Sequence, residues 1–246
     1  MRMTNNKNIN TMDAIIMCAG RGTRLQPLTD TTPKPLIPVN GKGSLEYTLE
    51  ALPPEITRII LIVGHLADQI KAHIGNAFRD KPIVYVTQNP LNGTGGCLRQ
   101  VKAQVPDLSE RFMVVSGDDI YDRRDLAALV AVPRSLLALE YVAATNDTKD
   151  AWKTDEKGRL LEIYRPAAGD RVYMNTGAYV LDHSWFDTAP MLVPGKTDEW
   201  GLPQAIPQMI ASGNDVVAVT ATSWLPVNTP EDLLIAEEVM RTRVAA

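Results

Sequence analysis

An α/β fold with a mostly parallel, doubly wound sheet is predicted by two observations. Short apolar runs alternate with segments of helical pattern along most of the chain, and a glycine-containing loop, Ala19 to Val39, directly follows the first apolar run. The first run, Ala14-Ile15-Ile16-Met17-Cys18, has the length and flanks of a buried strand. A helix is predicted over Ser44 to Leu52, a strand over Ile59 to Val63, a helix over Leu66 to Phe78 and a strand over Ile83 to Val86. Then follow a helix over Thr94 to Gln104, a strand over Phe112 to Val115, a helix over Arg124 to Ala131 and a strand over Leu136 to Ala143. The pattern loosens between Ala143 and Trp200, where Asp147 to Gly158 is polar and hairpin pairs are predicted, with a strand over Val172 to Leu181. Leu202 to Ser212 reads as a helix and Val216 to Val219 as a strand. The last helix opens on Thr229-Pro230-Glu231-Asp232, with Pro in the first turn and acids at the positive end of the dipole.

Composition narrows the class. A chain of 246 residues can bury a substantial core, and 45% hydrophobic with 22% charged residues excludes disordered and fibrous classes. No run approaches the roughly 18 apolar residues of a membrane span. Residues 1–11 are polar and Asn-rich, without the apolar stretch of a secretory signal, and read as a flexible N-terminal extension. A net charge of −4 argues against the broad basic field of a nonspecific nucleic-acid binder, so any polyanion must be held by a local cluster, with a metal. The two cysteines, Cys18 and Cys97, have neither metal nor redox spacing and read as small buried hydrophobes, consistent with a cytoplasmic location. His65, His73 and His183 lie in unrelated patterns and support no Ser/His/Asp arrangement.

Chemistry concentrates in the loop AGRGTRLQPLTDTTPKPLIPV. Gly20 and Gly22 are expected to take backbone conformations closed to other residues and to bring N–H groups near a ligand, with Arg24 and Lys34 adding positive charge. Such a loop suits a polyphosphate. Leu25 stands where a dinucleotide fingerprint needs a third small residue, and Leu36 where a P-loop ending at Gly41-Lys42 needs its first glycine, so both motifs are rejected on position. An ordinary strand-to-helix turn with solvated basic residues is the plain alternative. In an open α/β sheet, ligands sit at the carboxyl ends of the strands, where both this loop and Asp118 fall. Asp118 is a candidate Mg²⁺ ligand, with Asp119 and Asp122 competing for the role.

Gly20-Arg21-Gly22-Thr23-Arg24-Leu25, Pro27-Leu28-Thr29 and Pro33-Lys34-Pro35-Leu36 together resemble the signature of the sugar-1-phosphate nucleotidylyltransferases. Gly93-Thr94-Gly95, Gly117-Asp118, Asn175-Thr176-Gly177 and Asn228-Thr229-Pro230-Glu231-Asp232 follow in the family's order, closest to the uridylyl- and thymidylyltransferases. The resemblance implies a Rossmann-like three-layer α/β/α sandwich with a mostly parallel, mixed sheet. It implies one domain over 12–246, with a nucleotide-binding half over 12–120 and a sugar-binding half over 121–246. It implies an NTP, with UTP or dTTP favoured, and a sugar 1-phosphate as substrates; no nucleic acid or membrane partner is expected, and a homo-oligomer stays open.

By the same resemblance Arg24, Lys34 and Asp118 are catalytic. Ala19, Gly20, Gly22, Thr23, Gln88, Gly93 and Thr94 bind nucleotide, Gln88 reading the pyrimidine edge or else bracing its loop. Gly117, Arg165, Asn175, Thr176 and Glu199 bind sugar, and Trp224 walls the pocket or packs in the core. Mg²⁺ falls to Asp118 and Asn228, although Asn228 serves equally as an N-cap of the last helix. Two departures bear on this. Pro226 stands where many relatives carry a metal-binding Asp, and Tyr164-Arg165-Pro166 replaces a Glu-Lys-Pro sugar motif. They keep open a catalytically silent nucleotide-sugar-binding module; a cytidylyl- or guanylyltransferase of the same fold is a separate alternative within the same chemistry. With the sequence ending at Ala246, no fused acyltransferase is expected.

Overall fold

The computed structural model describes residues 11–144 and 150–245. The predicted N-terminal extension, apart from Thr11, and the start of the polar stretch, residues 147–149, lie outside them.

Four parallel strands form the middle of the sheet in the order Lys81–Thr87, Ile56–Val63, Met12–Cys18, Arg111–Ser116. Their sequences are near-continuous apolar runs because both faces are covered, as parallel strands require. Along Met12–Cys18, Ala14, Ile16 and Cys18 join one buried cluster, while Ile15 joins another on the opposite face. Helices Ser44–Ala51, Ala67–Ile74 and Arg123–Val130 cover the first face through Leu45, Leu49, Ile70, Leu126 and Leu129. Helices Gly93–Gln104 and Leu202–Ala211 cover the second through Leu98, Val101, Leu202, Ile206 and Met209. The result is the expected three-layer sandwich.

The second half of the chain extends the same sheet with antiparallel pairs. Arg171–Asp182 lies antiparallel to Arg111–Ser116 and to Ser135–Val142, with a register shift between Asn175 and Ala178. A left-handed Gly177, φ 81°, sits within that shift, where a side chain would meet the Ser116 Oγ at 2.4 Å. Ala151–Thr154 and Leu160–Tyr164 form the predicted hairpin at one edge, and Val217–Thr220 runs parallel to Ser135–Val142.

The helix predicted to Phe78 stops at Ile74. Gly75 leaves the helix at φ 76°, and Ala77–Phe78 instead pairs antiparallel with Lys81 and Pro82. A small ribbon outside the sheet joins Trp224–Pro226 to Asp119–Tyr121, with Pro226 opposite Asp119. This ribbon carries the chain that follows, Val227 and Asn228, back to the end of strand Arg111–Ser116.

Candidate active site

Strand order reverses between Met12–Cys18 and Arg111–Ser116, and the crevice beyond their carboxyl ends is where doubly wound sheets take ligands. A cavity of about 520 Å³ opens there. Ala19, Gly20, Gly22 and Thr23 line it from the first loop, Gln88, Gly93 and Thr94 from the third, and Asp118 and Glu199 from the far side. Helix Gly93–Gln104 begins at this cavity, so its positive dipole end faces the same space.

The two loop glycines have different reasons to be glycine. Gly22 takes φ 64°, and a Cβ there would stand 2.8 Å from Thr29 Cγ2 and 2.9 Å from Lys34 Cβ. The Thr29 hydroxyl donates to the Gly22 carbonyl at 3.0 Å, closing the loop on itself. Gly20 needs no special backbone, contrary to the sequence expectation: its φ is outside the left-handed range and a Cβ would meet nothing within 4 Å. Its bareness leaves open space in the cavity and nothing else.

Lys34 is buried at 7% exposure, and its ammonium bridges two oxygens from distant parts of the chain. It pairs with Asp118 Oδ2 and donates to Asn228 Oδ1 at 2.7 Å. Arg24 Nη2 donates to the same Asn228 oxygen at 2.8 Å. The N-cap alternative for Asn228 is thereby decided. Thr229 caps the last helix, accepting from the Asp232 N–H at 3.2 Å, while the Asp232 carboxylate accepts from the Asn228 and Thr229 N–H groups at 3.0 Å. Asn228 keeps its side chain for the cations.

Of the three competing acids, only Asp118 lines the cavity. Asp122 caps helix Arg123–Val130 by accepting from the Arg124 N–H at 2.8 Å. Asp119 is buried at 5% exposure behind Asp118. Burial and then the neighbouring Asp118 charge push its carboxyl well above the usual range.

The sugar-side candidates separate. Glu199 lines the cavity. Gly117 does not: its N–H donates to Met17 O at 3.0 Å, its carbonyl accepts from Ser44 Oγ, and a Cβ would stand 2.4 Å from Cys18 Sγ. Thr176 is buried, its hydroxyl donating to Leu137 O at 2.7 Å, so this hydroxyl is committed inside the sheet. Asn175 donates to the Tyr179 hydroxyl at 2.6 Å and accepts from the Gly177 N–H at 2.9 Å. Arg165 is exposed, 3.6 Å from Asp150, and does not line the cavity. Trp224 packs against the core cluster rather than walling the cavity.

Sequence reasoning missed several lining residues: Arg21, Leu91, Cys97 and Ser116. Arg21 had a visible signal, an arginine held between two loop glycines. A smaller neighbouring cavity of about 320 Å³ shares Arg21, Gln88 and Leu91 and adds His65 and Asn89. His65 also ties the loop down, its N–H donating to Ala19 O at 3.1 Å and its Nε2 lying 3.1 Å from Thr29 O. Among the described residues no cluster of three His, Cys, Asp or Glu side chains is arranged to hold a metal ion, and no helix is long and apolar enough to cross a membrane.

A glycine loop, a helix N-terminus and a lysine-bridged acid at the switch point of a doubly wound sheet define an anion-binding crevice of nucleotide type. Residues 13–243 match the family described as nucleotidyl transferase. The chain belongs to that family. It is 31% identical over 228 residues to the bifunctional protein GlmU of Methanococcus maripaludis, covering 92% of this chain and 53% of that one. It is 29% identical over 243 residues to the UTP–glucose-1-phosphate uridylyltransferase AglF of Haloferax volcanii, covering 92% of this chain and 96% of that one. The chain thus spans about half the length of the GlmU relatives. In fold it matches a crystal structure of an apo UDP-glucose pyrophosphorylase with a TM-score of 0.75 at 18% identity, over 95% of this chain and 99% of that one. HddC from Yersinia pseudotuberculosis, complexed with GMP-PN, matches with a TM-score of 0.68 at 20% identity, over 94% of this chain and all of the other.

Proposed function

We propose that the protein transfers a nucleotidyl group from an NTP, UTP or dTTP by preference, to a sugar 1-phosphate, giving an NDP-sugar and pyrophosphate. The observation that carries this reading is the convergence of Arg24 and Lys34 on Asn228 Oδ1 beside Asp118, next to a cavity that takes a helix N-terminus as its wall. The names of the GlmU and uridylyltransferase relatives support it.

A sugar phosphate is already an anionic nucleophile, so the site needs no general base. Its task is to bring two anions together in line. The sugar-phosphate oxygen attacks the α-phosphorus, the bond from that phosphorus to the bridging oxygen breaks, and pyrophosphate leaves. Arg24 holds the β and γ phosphates and steadies the leaving group, while Lys34 neutralises charge on the reacting phosphates. The glycine loop and the start of helix Gly93–Gln104 supply N–H donors. Catalysis then rests on positioning and preorganised charge.

The donor set suits Mg²⁺: one carboxylate oxygen of Asp118 and the amide oxygen of Asn228 already converge on a single positive centre, the Lys34 ammonium. A bound ion would supply positive charge against the reacting phosphates. With Asp118 and Asn228 holding such an ion, the Lys34 ammonium would be left for the phosphates. On the sugar side, Glu199 is the acid placed to accept from a sugar hydroxyl. Asn175 gives one amide hydrogen to Tyr179 and has a second to offer a hydroxyl.

The test is magnesium-dependent pyrophosphate release from a grid of UTP, dTTP, CTP, GTP and ATP against hexose, N-acetylhexosamine and heptose 1-phosphates, with Asp118→Asn as control. One productive pair lost in the control is expected. Silence across the grid with nucleotide-sugar binding retained would replace this reading with the silent binding module.

A further inference from the structure

Gln88 is buried at 7% exposure and lines the cavity, with its side-chain amide engaged except for one Oε1 lone pair. Its amide lies 3.0 Å from the Gly93 carbonyl, which can only accept, so the atom there is Nε2. The second Nε2 hydrogen goes to Asn92 Oδ1 at 3.3 Å. Oε1 is therefore on the other side, where the Cys97 Sγ–H donates to it at 3.3 Å. Burial pushes the Cys97 thiol up to about 12, so it stays protonated and able to donate at neutral pH. The Asn92 amide holds its place because residue 96 is glycine: a Cβ on Gly96 would stand 2.0 Å from Asn92 Oδ1.

We infer that Cys97 and Asn92 are positioning residues that lock the Gln88 amide with Oε1 as its one free group, making the site select a pyrimidine whose ring N3 carries a hydrogen. An amide oxygen with one free lone pair accepts from the N3–H of uracil or thymine. Cytosine presents a bare N3 lone pair at the same place, and two acceptors facing each other in a buried site repel. Turning the amide over to suit cytosine would set Oε1 against the Gly93 carbonyl. The inference rests on the reading of this cavity as a nucleotide site.

Equilibrium binding of UTP, dTTP and CTP to the full chain with Mg²⁺, followed by steady-state kinetics, tests it. UTP or dTTP should bind on the order of 100-fold tighter than CTP, the upper cost of leaving a buried acceptor facing another acceptor. Cys97→Ala should narrow the UTP/CTP ratio by roughly three- to tenfold, the worth of one modest hydrogen bond, and the change should fall on KM for UTP more than on kcat. Cys97→Ser, which keeps a donor, should restore the ratio. Gly96→Ala, which pushes Asn92 aside, should narrow it as well and serves if Cys97→Ala does not fold. CTP bound as tightly as UTP, or a folded Cys97→Ala with the parent ratio, overturns the inference while leaving the nucleotide site standing. If no nucleoside triphosphate binds whatever its base, the nucleotide reading itself fails and takes the inference with it.

Discussion

The Lys34 ammonium donates to Asn228 Oδ1 at 2.7 Å across 194 residues of sequence, and pairs with Asp118 in the same place. An internal cation thus joins the two oxygens that suit a divalent ion. Lys34→Met keeps the aliphatic stem but removes the charge, leaving the two oxygens free of their nearest positive partner. Turnover should fall by about 10²–10³-fold, the usual cost of losing one preorganised charge. Mn²⁺ binding in the absence of nucleotide should tighten, because the metal no longer competes with the ammonium. Titration of both proteins with Mn²⁺ checks this, and a weaker affinity in the variant would show that Lys34 does not occupy the metal position.

Arg24 can be removed at little cost to the fold, and Asp118→Asn keeps an amide oxygen for the buried Lys34 ammonium it now pairs with. Arg24 is exposed and its one side-chain hydrogen bond is to Asn228, while Asp118 lies at the cavity edge. Arg24→Ala and Asp118→Asn should each cut turnover by at least about 10²-fold while circular dichroism and the unfolding midpoint stay close to the parent. Near-normal rates in either variant would refute the assigned site.

What the sequence made legible was what local pattern encodes. The strand runs were readable because burial on both faces leaves an uninterrupted apolar signature, and the loop because glycines and basic residues sit close together. Long-range packing was not readable. Whether Asn228 capped a helix or met the cations depended on the ribbon that sets Pro226 opposite Asp119. Choosing Asp118 over Asp119 and Asp122 depended on which carboxyl the turn after Ser116 leaves facing the cavity. Gly117 and Thr176 read in sequence as sugar-side candidates, but the Gly117 carbonyl is taken by Ser44 and the Thr176 hydroxyl by Leu137. Cys97, read as a small hydrophobe, is buried as expected, yet its thiol also reaches Gln88 nine residues away.

Gly20 and Gly22 should answer an added methyl in opposite ways. At Gly22, alanine must hold φ 64° and press on Thr29 and Lys34, so about 1–2 kcal/mol of stability is lost and Lys34 is displaced. At Gly20, alanine meets nothing within 4 Å of protein and stability should stay within about 0.5 kcal/mol. Gly20 lines the cavity, so the added methyl should lower nucleotide affinity. Thermal unfolding and nucleotide binding on both variants separate the cases; equal loss of stability at the two positions would contradict the loop geometry.

Acid stability should depend on Asp13, at the far end of the first strand from the cavity. Burial alone would raise its carboxyl. Hydrogen bonds from Arg58 Nε and Nη2, both at 2.8 Å, and from the Ser109 N–H at 2.8 Å outweigh that and hold it below its ordinary value of 3.8. A carboxyl depressed in the folded state stabilises the fold fully above its ordinary range, and that contribution drains away as pH falls through the lowered native value. The parent should therefore lose stability progressively below about pH 4. Asp13→Asn sets an N–H₂ against the guanidinium fork, so about 1–3 kcal/mol should be lost at pH 7. The gap between parent and variant should close as pH is lowered, because protonation takes from the parent what the substitution already removed. Denaturant unfolding of both proteins from pH 7 down to the acid limit checks this, and a gap that widens toward low pH would show that the Asp13–Arg58 pair does not carry the acid sensitivity.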